Sequence, residues 1–171
     1  AAFCLWFLIG DGESGAEVDL AANSRQQAQI AYEFVQNYAR QLDPSGKELK
    51  CLRNGIKLKL NDSNLNVFAA DSTKLDGFNA SFALIDEYHA AKDSRLYDVL
   101  KSSQGQRKNP HLMVISTVGF SITSPFKKLY DTDCEILHGL KEDDSTFAMI
   151  FALDDGDDWR DETVWRKIAP N

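Results

Sequence analysis

Phe82-Ala83-Leu84-Ile85-Asp86-Glu87 is the stretch on which the reading of this sequence turns. Four consecutive apolar residues leave no polar side, so they predict a strand covered on both faces, as in the middle of a parallel sheet. Two carboxylates follow at its C-terminal end, the edge where open parallel sheets bind their ligands. Asp86 has the chemistry to hold a hydrated Mg²⁺ against nucleotide phosphates. Glu87, on the other side by the strand period, can orient and deprotonate an attacking water. The same string also fits a core strand followed by an acidic, helix-capping loop.

Working outward, Leu112 to Ile115 is a second apolar strand, and it ends in the small hydroxyls Ser116-Thr117. A polar residue placed there can sense a terminal phosphate beside the carboxylates. His89 can pair with those carboxylates, touch the hydroxyls, or be a plain surface histidine. Upstream, Glu17 to Ala22 reads as a strand, and Ser24 with Gln27 forms the S-x-x-Q capping box of a helix. Ala31, Phe34, Val35, Tyr38, Ala39 and Leu42 give that helix an apolar face. Leu49 to Leu60 turns at Arg53-Asn54-Gly55, a hairpin signal, and Leu65 to Ala69 is a further strand. Lys47, Lys50, Arg53, Lys57 and Lys59 alternate with apolar residues, which fits a DNA-facing ribbon or, more plainly, a solvated strand face. Ser94 caps a short helix through Leu100, and Ser124-Pro125 opens another. Phe147 to Leu153 is expected as the last strand, followed by an acidic loop and a helix opened by Asp161. The order predicts an α/β fold: a parallel sheet with flanking helices and a β-hairpin insertion, in one domain over 1–171.

Composition narrows the function classes. A net charge of -7 argues against a protein that grips DNA over its whole surface, though not against one that touches it through local loops. Ala1 to Ile9 is too short to cross a bilayer and lacks the features of a secretory signal, so no membrane partner is expected. It reads as the tail of a helix that begins upstream. Cys4, Cys51 and Cys134 are far apart and form no CxxC pair, which fits reduced core thiols. Gly10-Asp11-Gly12-Glu13-Ser14-Gly15 satisfies GxGxxG, but it follows a helix, precedes a strand and carries two acids. Asp154, Asp155, Asp157 and Asp158 lack the spacing of a calcium loop and read as solvated. The sole Gly-Lys, Gly46-Lys47, is followed by Glu48 where a phosphate-binding loop needs a hydroxyl.

Taken together these residues resemble the ATPase domain of the phage terminase large subunit. The likeness runs through Leu20-Ala21-Ala22-Asn23-Ser24-Arg25-Gln26-Gln27-Ala28, Leu75-Asp76-Gly77-Phe78-Asn79 and Leu84-Ile85-Asp86-Glu87-Tyr88-His89. It continues in Arg107-Lys108-Asn109-Pro110, Ile115-Ser116-Thr117-Val118-Gly119 and Trp165-Arg166-Lys167-Ile168-Ala169-Pro170-Asn171. The resemblance implies a P-loop NTPase-type sheet, with Asp86 on the Mg²⁺ side of ATP through water and Glu87 as catalytic base. Ser116 and Thr117 would couple hydrolysis to motion. Arg25, Arg95 and Arg107 are the candidates for an arginine finger in a self-associated ring. Double-stranded phage DNA, the portal protein and the terminase small subunit are the implied partners, in the host bacterial cytoplasm.

The sequence departs from the family in lacking the Walker A loop, expected just before Ala1, so the first strand is missing and the fragment alone should be inactive. The nuclease domain of the family is likewise expected beyond this chain. A helicase-like ATPase and a non-catalytic interaction domain derived from one are the rival readings. The family's sheet order places Phe82 to Ile85 parallel beside Leu112 to Ile115. The missing strand would sit between Leu112 to Ile115 and Phe147 to Leu153. Its gap would be filled by that last strand or by a second copy, or stay open.

Overall fold

The computed structural model describes residues 1–70, 77, 79–119 and 121–169. Leu75, Asp76, Phe78, Pro170 and Asn171, which carry part of the resemblance, lie outside the described residues. The chain divides into two compact units, Ala1–Lys128 and Leu129–Asn171.

The first unit holds a six-stranded sheet in the order β2-β3-β4-β1-β5-β6. Its strands are β1 (Glu17–Ala22), β2 (Leu49–Leu52), β3 (Gly55–Leu58), β4 (Asn64–Ala69), β5 (Phe82–Asp86) and β6 (His111–Ile115). β4, β1, β5 and β6 are parallel, and the β2–β3 hairpin extends the sheet antiparallel beside β4, so the sheet is mixed. Phe82 pairs with His111 and Asp86 with Ile115, the parallel adjacency expected from the sequence. Among the described strands, β6 forms one border of the sheet and β2 the other.

Helices cover both faces because the crossovers run in opposite directions. α2 (Arg25–Leu42) links β1 to the hairpin side, whereas α3 (Arg95–Ser103) links β5 to β6. Right-handed connections then put α2 and α3 on opposite faces. On the first face, α1 (Ala2–Leu5), a π turn (Trp6–Gly10) and α2 bury Cys4, Leu5, Leu8, Tyr32, Val35 and Ala39 against Val18, Leu20, Phe82 and Leu84. Phe7 stacks on Phe82 with ring centroids 4.2 Å apart. Ser24 caps α2 as expected, its hydroxyl accepting from the Gln27 N–H and donating to Gln27 Oε1. Ser94 instead donates to Asp98 Oδ2 at 2.6 Å and makes no side-chain cap bond to α3.

The buried stripe of α2 is Ala28, Tyr32, Val35 and Ala39, which shares Val35 and Ala39 with the face expected from the sequence, and Ala31 packs against the same core. Phe34, Tyr38 and Leu42 are 59%, 51% and 65% exposed. α2 has apolar residues on more than one side, and periodicity alone does not rank them. Tyr32 decides the outcome: its hydroxyl reaches the Leu52 carbonyl at 2.7 Å and the Gly55 carbonyl at 2.5 Å, tying α2 to both hairpin strands. Tyr32→Phe should therefore destabilise the chain by about 1–2 kcal/mol, the cost of leaving the buried Gly55 carbonyl without the hydroxyl's hydrogen. Urea unfolding checks this, and an unchanged midpoint would contradict it. In the hairpin, Arg53-Asn54 make the turn and Gly55 is the first residue of β3. Its glycine is required by close approach, since a Cβ there would collide with the Leu65 carbonyl of β4. The lysines of this region are exposed.

On the opposite face lies Asp19, fully buried, with Oδ1 accepting from Asn66 Nδ2 at 3.0 Å and Oδ2 without a partner. Burial pushes its carboxyl up to about 7 from 3.8, against the lowering effect of Asn66. A carboxyl with a raised folded pKa holds its proton more tightly when folded. Its contribution is fully favourable below 3.8 and is lost as the pH rises toward 7. Asp19→Asn should flatten that part of the stability profile, measured as urea midpoints across this range. A slope identical to the parent's would refute the assignment.

In the second unit the C-terminal part of α4 (Pro125–Leu137) is followed by irregular chain and a 3₁₀ turn over Glu162–Lys167. The Asp161 side chain accepts from the Thr163 N–H at the head of that turn. Phe147 to Leu153 is not a strand, and Phe147 and Met149 are 84% and 63% exposed. A strand needs a neighbour for its N–H and C=O groups, and no described strand pairs with this segment. The acidic loop is solvated, with Lys167 Nζ 2.6 Å from Asp154 and 2.8 Å from Asp157. Among the described residues no group of three potential metal ligands forms.

Candidate active site

β1, β5 and β6 run in the same direction, and their register aligns Ala22, Asp86 and Ile115. One sheet edge thus receives three short segments: Asn23-Ser24-Arg25, Asp86-Glu87 and Ser116-Thr117. The sequence-predicted carboxylates and hydroxyls meet there.

Asp86 is the last residue of β5 and is half-buried. Strand alternation does not set the direction of Glu87. Its backbone leaves the strand in the left-handed region, φ 54° and ψ 44°. For a residue with a Cβ this conformation costs on the order of 1–3 kcal/mol and persists only where neighbours enforce it. Asn23 is one such neighbour, since its Nδ2 donates to the Glu87 carbonyl at 2.5 Å. The 3₁₀ turn Tyr88–Ala90 is another, with the Ala90 N–H on the same carbonyl at 3.1 Å. Tyr88 is buried and stacks on Tyr97 of α3.

His89 joins the carboxylate to the hydroxyls. Its backbone N–H donates to Ser116 Oγ at 2.9 Å, and its Nδ1 lies 3.3 Å from Ser116 Oγ and 3.4 Å from Thr117 Oγ1. The same Nδ1 is 3.1 Å from Glu87 Oε2, close enough for an ion pair but not aligned as a hydrogen bond. Glu87 Oε2 and Asn23 Oδ1 are therefore two buried acceptors without donors at one edge. Gly119 packs on His89, where a Cβ would come within 3.0 Å of the histidine Cβ.

The arginines separate. Arg25 is exposed at the first turn of α2, on this edge. Arg95 opens α3, exposed, with its guanidinium 2.9 Å from Asp93. Arg107 is at the other end of the strands. It donates to the Asn79 carbonyl at 2.8 Å, to the Gly15 carbonyl at 3.2 Å and to Glu13 at 2.7 Å, just before β5 and β1 begin. Gly46-Lys47 is also away from the site, in the turn before β2, where Asp43 accepts from the Glu48 and Leu49 N–H groups. Asn23 was not singled out in the sequence, because its neighbour Ser24 already accounts for a polar residue at a helix start.

A mixed sheet whose parallel strands carry carboxylates at one end and hydroxyls at the next, with helices on both faces, makes this an α/β domain. The same fold is found in the crystal structure of the HK97 bacteriophage large terminase, with a TM-score of 0.83 at 18% identity, over 98% of this chain and 35% of that one. Residues 1–133 match the family model of the terminase large subunit, ATPase domain, and the chain belongs to that family. Among curated proteins, protein YmfN of Escherichia coli (strain K12) is 34% identical over 96 residues, 56% of this chain. The terminase large subunit of Lactococcus phage p2 is 22% identical over 96% of it. The chain spans 21% of the first relative's length and 31% of the second's.

Proposed function

We propose that this chain is part of the ATP-hydrolysing motor domain of a terminase large subunit that drives double-stranded phage DNA into procapsids. The observation that carries the reading is the edge cluster of Asp86, Glu87, His89, Ser116 and Thr117 on a terminase-type sheet. Glu87 Oε2, buried and without a donor, is available to accept the proton of an attacking water. Its left-handed backbone fixes where that acceptor stands.

The residues fit a hydrated Mg²⁺. The site offers acceptors in excess of donors, including the unpartnered Glu87 Oε2 and Asn23 Oδ1, and a water shell supplies donors. Asp86 would hold the ion through water, and when bound the ion would neutralise charge on the phosphates of ATP. Asp86 itself orients water at the strand end, and Ser116 and Thr117 present hydroxyls beside the base. The chain carries no GxxxxGK[ST] sequence. On its own it is expected not to turn over ATP, and activity belongs to a full-length subunit in which a phosphate loop is present. In that setting the portal protein, the terminase small subunit, a ring of identical subunits and the bacterial cytoplasm complete the proposal. Arg25, exposed at the head of α2 on the site edge, and Arg95, exposed at the head of α3, are the arginines free of the strand-start contacts that hold Arg107.

The test is nucleotide affinity. In the full-length subunit Asp86→Asn should weaken binding of a fluorescent ATP analogue at least tenfold in the presence of Mg²⁺ (about 1.4 kcal/mol) and have little effect in EDTA. Equal affinity with and without the metal in parent and variant would overturn the metal-side assignment.

A further inference from the structure

We propose that His89 is the positioning residue of this site, protonated at Nδ1, and that its Nδ1–H ties the Glu87 carboxylate to Ser116. The inference rests on the reading of Glu87 as base. Its first support is a proton count. Ser116 Oγ donates its own hydrogen to the Thr117 carbonyl at 3.0 Å, and it accepts from the His89 backbone N–H at 2.9 Å. An oxygen whose hydrogen is already committed can only accept from a third partner. On that assignment the ring nitrogen 3.3 Å away is the donor. Glu87 Oε2, 3.1 Å from the same nitrogen, is an acceptor lacking a donor. One N–H therefore faces two acceptors, one on the base and one on the loop after β6.

The packing keeps it there. His89 is about a quarter exposed, backed by Gly119 and preceded by the buried Tyr88. A small rotation of the Glu87 carboxylate aligns Oε2 with the Nδ1–H, and a shift of the Ser116 loop withdraws the competing acceptor. His89 thus makes the orientation of the base depend on where the loop after β6 stands. Thr117 Oγ1, at 3.4 Å, follows the same nitrogen more loosely.

The experiment has two arms. In this chain, ¹⁵N-labelled imidazole NMR of the neutral ring of His89 should find the hydrogen on Nδ1. Ser116→Ala should shift that resonance. A hydrogen on Nε2 overturns the proposal. In the full-length subunit His89→Ala should lower kcat about tenfold, as loss of an orienting partner does, with KM unchanged. His89→Asn, whose Nδ2 takes the place of Nδ1, should recover activity to within about threefold, and His89→Gln, whose amide lies at the Nε2 position, should not. Ser116→Ala added to His89→Ala should cost little more, because both act through one contact. Additive losses, or equal behaviour of the Asn and Gln variants, refute the tie. If Glu87→Gln itself leaves hydrolysis intact, the reading of Glu87 as base is what has failed.

Discussion

Replacing Glu87 by glutamine in a full-length subunit should reduce ATP hydrolysis by roughly 10²–10⁴-fold, the usual contribution of a positioned general base. Nucleotide affinity should stay within about twofold of the parent. Glutamine has nearly the same shape and keeps the constraint that places position 87 at φ 54°. The Asn23 contact is to the main-chain carbonyl and is untouched by the exchange. What disappears is the capacity of Oε2 to take a proton. Asp86→Asn differs because it changes the group assigned to the metal side and should weaken binding. Phosphate release and fluorescent-nucleotide titration on both variants separate the roles. Equal loss of binding in the two, or full turnover by Glu87→Gln, would contradict them.

The second large effect is on stability. Arg107→Ala should destabilise the chain by about 2–3 kcal/mol. Removing one member of a buried ion pair costs about 3–5 kcal/mol, and here solvent moderates it, since Arg107 is 12% and Glu13 28% exposed. The guanidinium also closes the loops that lead into β1 and β5, through Gly15 and Asn79. Its loss leaves those carbonyls and the Glu13 carboxylate without their donor at the strand edge remote from Asp86. Thermal unfolding of the chain should show the drop, and the nucleotide affinity of a folded full-length variant should be unchanged. Wild-type stability accompanied by lost hydrolysis would instead make Arg107 part of the chemistry.

Much of the sheet was legible because buried parallel strands announce themselves. Phe82 to Ile85 has no polar face, and its length and its acidic end leave few alternatives. The same argument failed for Phe147 to Leu153, where apolar content is not enough: a strand is a relation between two chains of peptide groups. α2 misled in another way. Phe34, Tyr38 and Leu42 repeat as regularly as Ala28, Tyr32, Val35 and Ala39, and a hydroxyl bonded across to the hairpin selects between them. The site was legible as a set of residue types at strand ends, since register does the rest. Its wiring was not. That Asn23 holds the Glu87 backbone and that His89 bridges carboxylate and hydroxyl depend on distances across three strands, which spacing along one chain does not encode.

If Glu87 is the base, its left-handed backbone also sets a conflict between selection for folding and selection for chemistry. Glycine adopts φ 54° without the steric penalty that a Cβ brings, and asparagine adopts it more readily than glutamate. A lineage of this chain screened only for thermal stability would drift toward those residues at position 87. On the proposed role, use of its carboxylate is what keeps glutamate there, so its loss would be among the first marks of a copy released from that work.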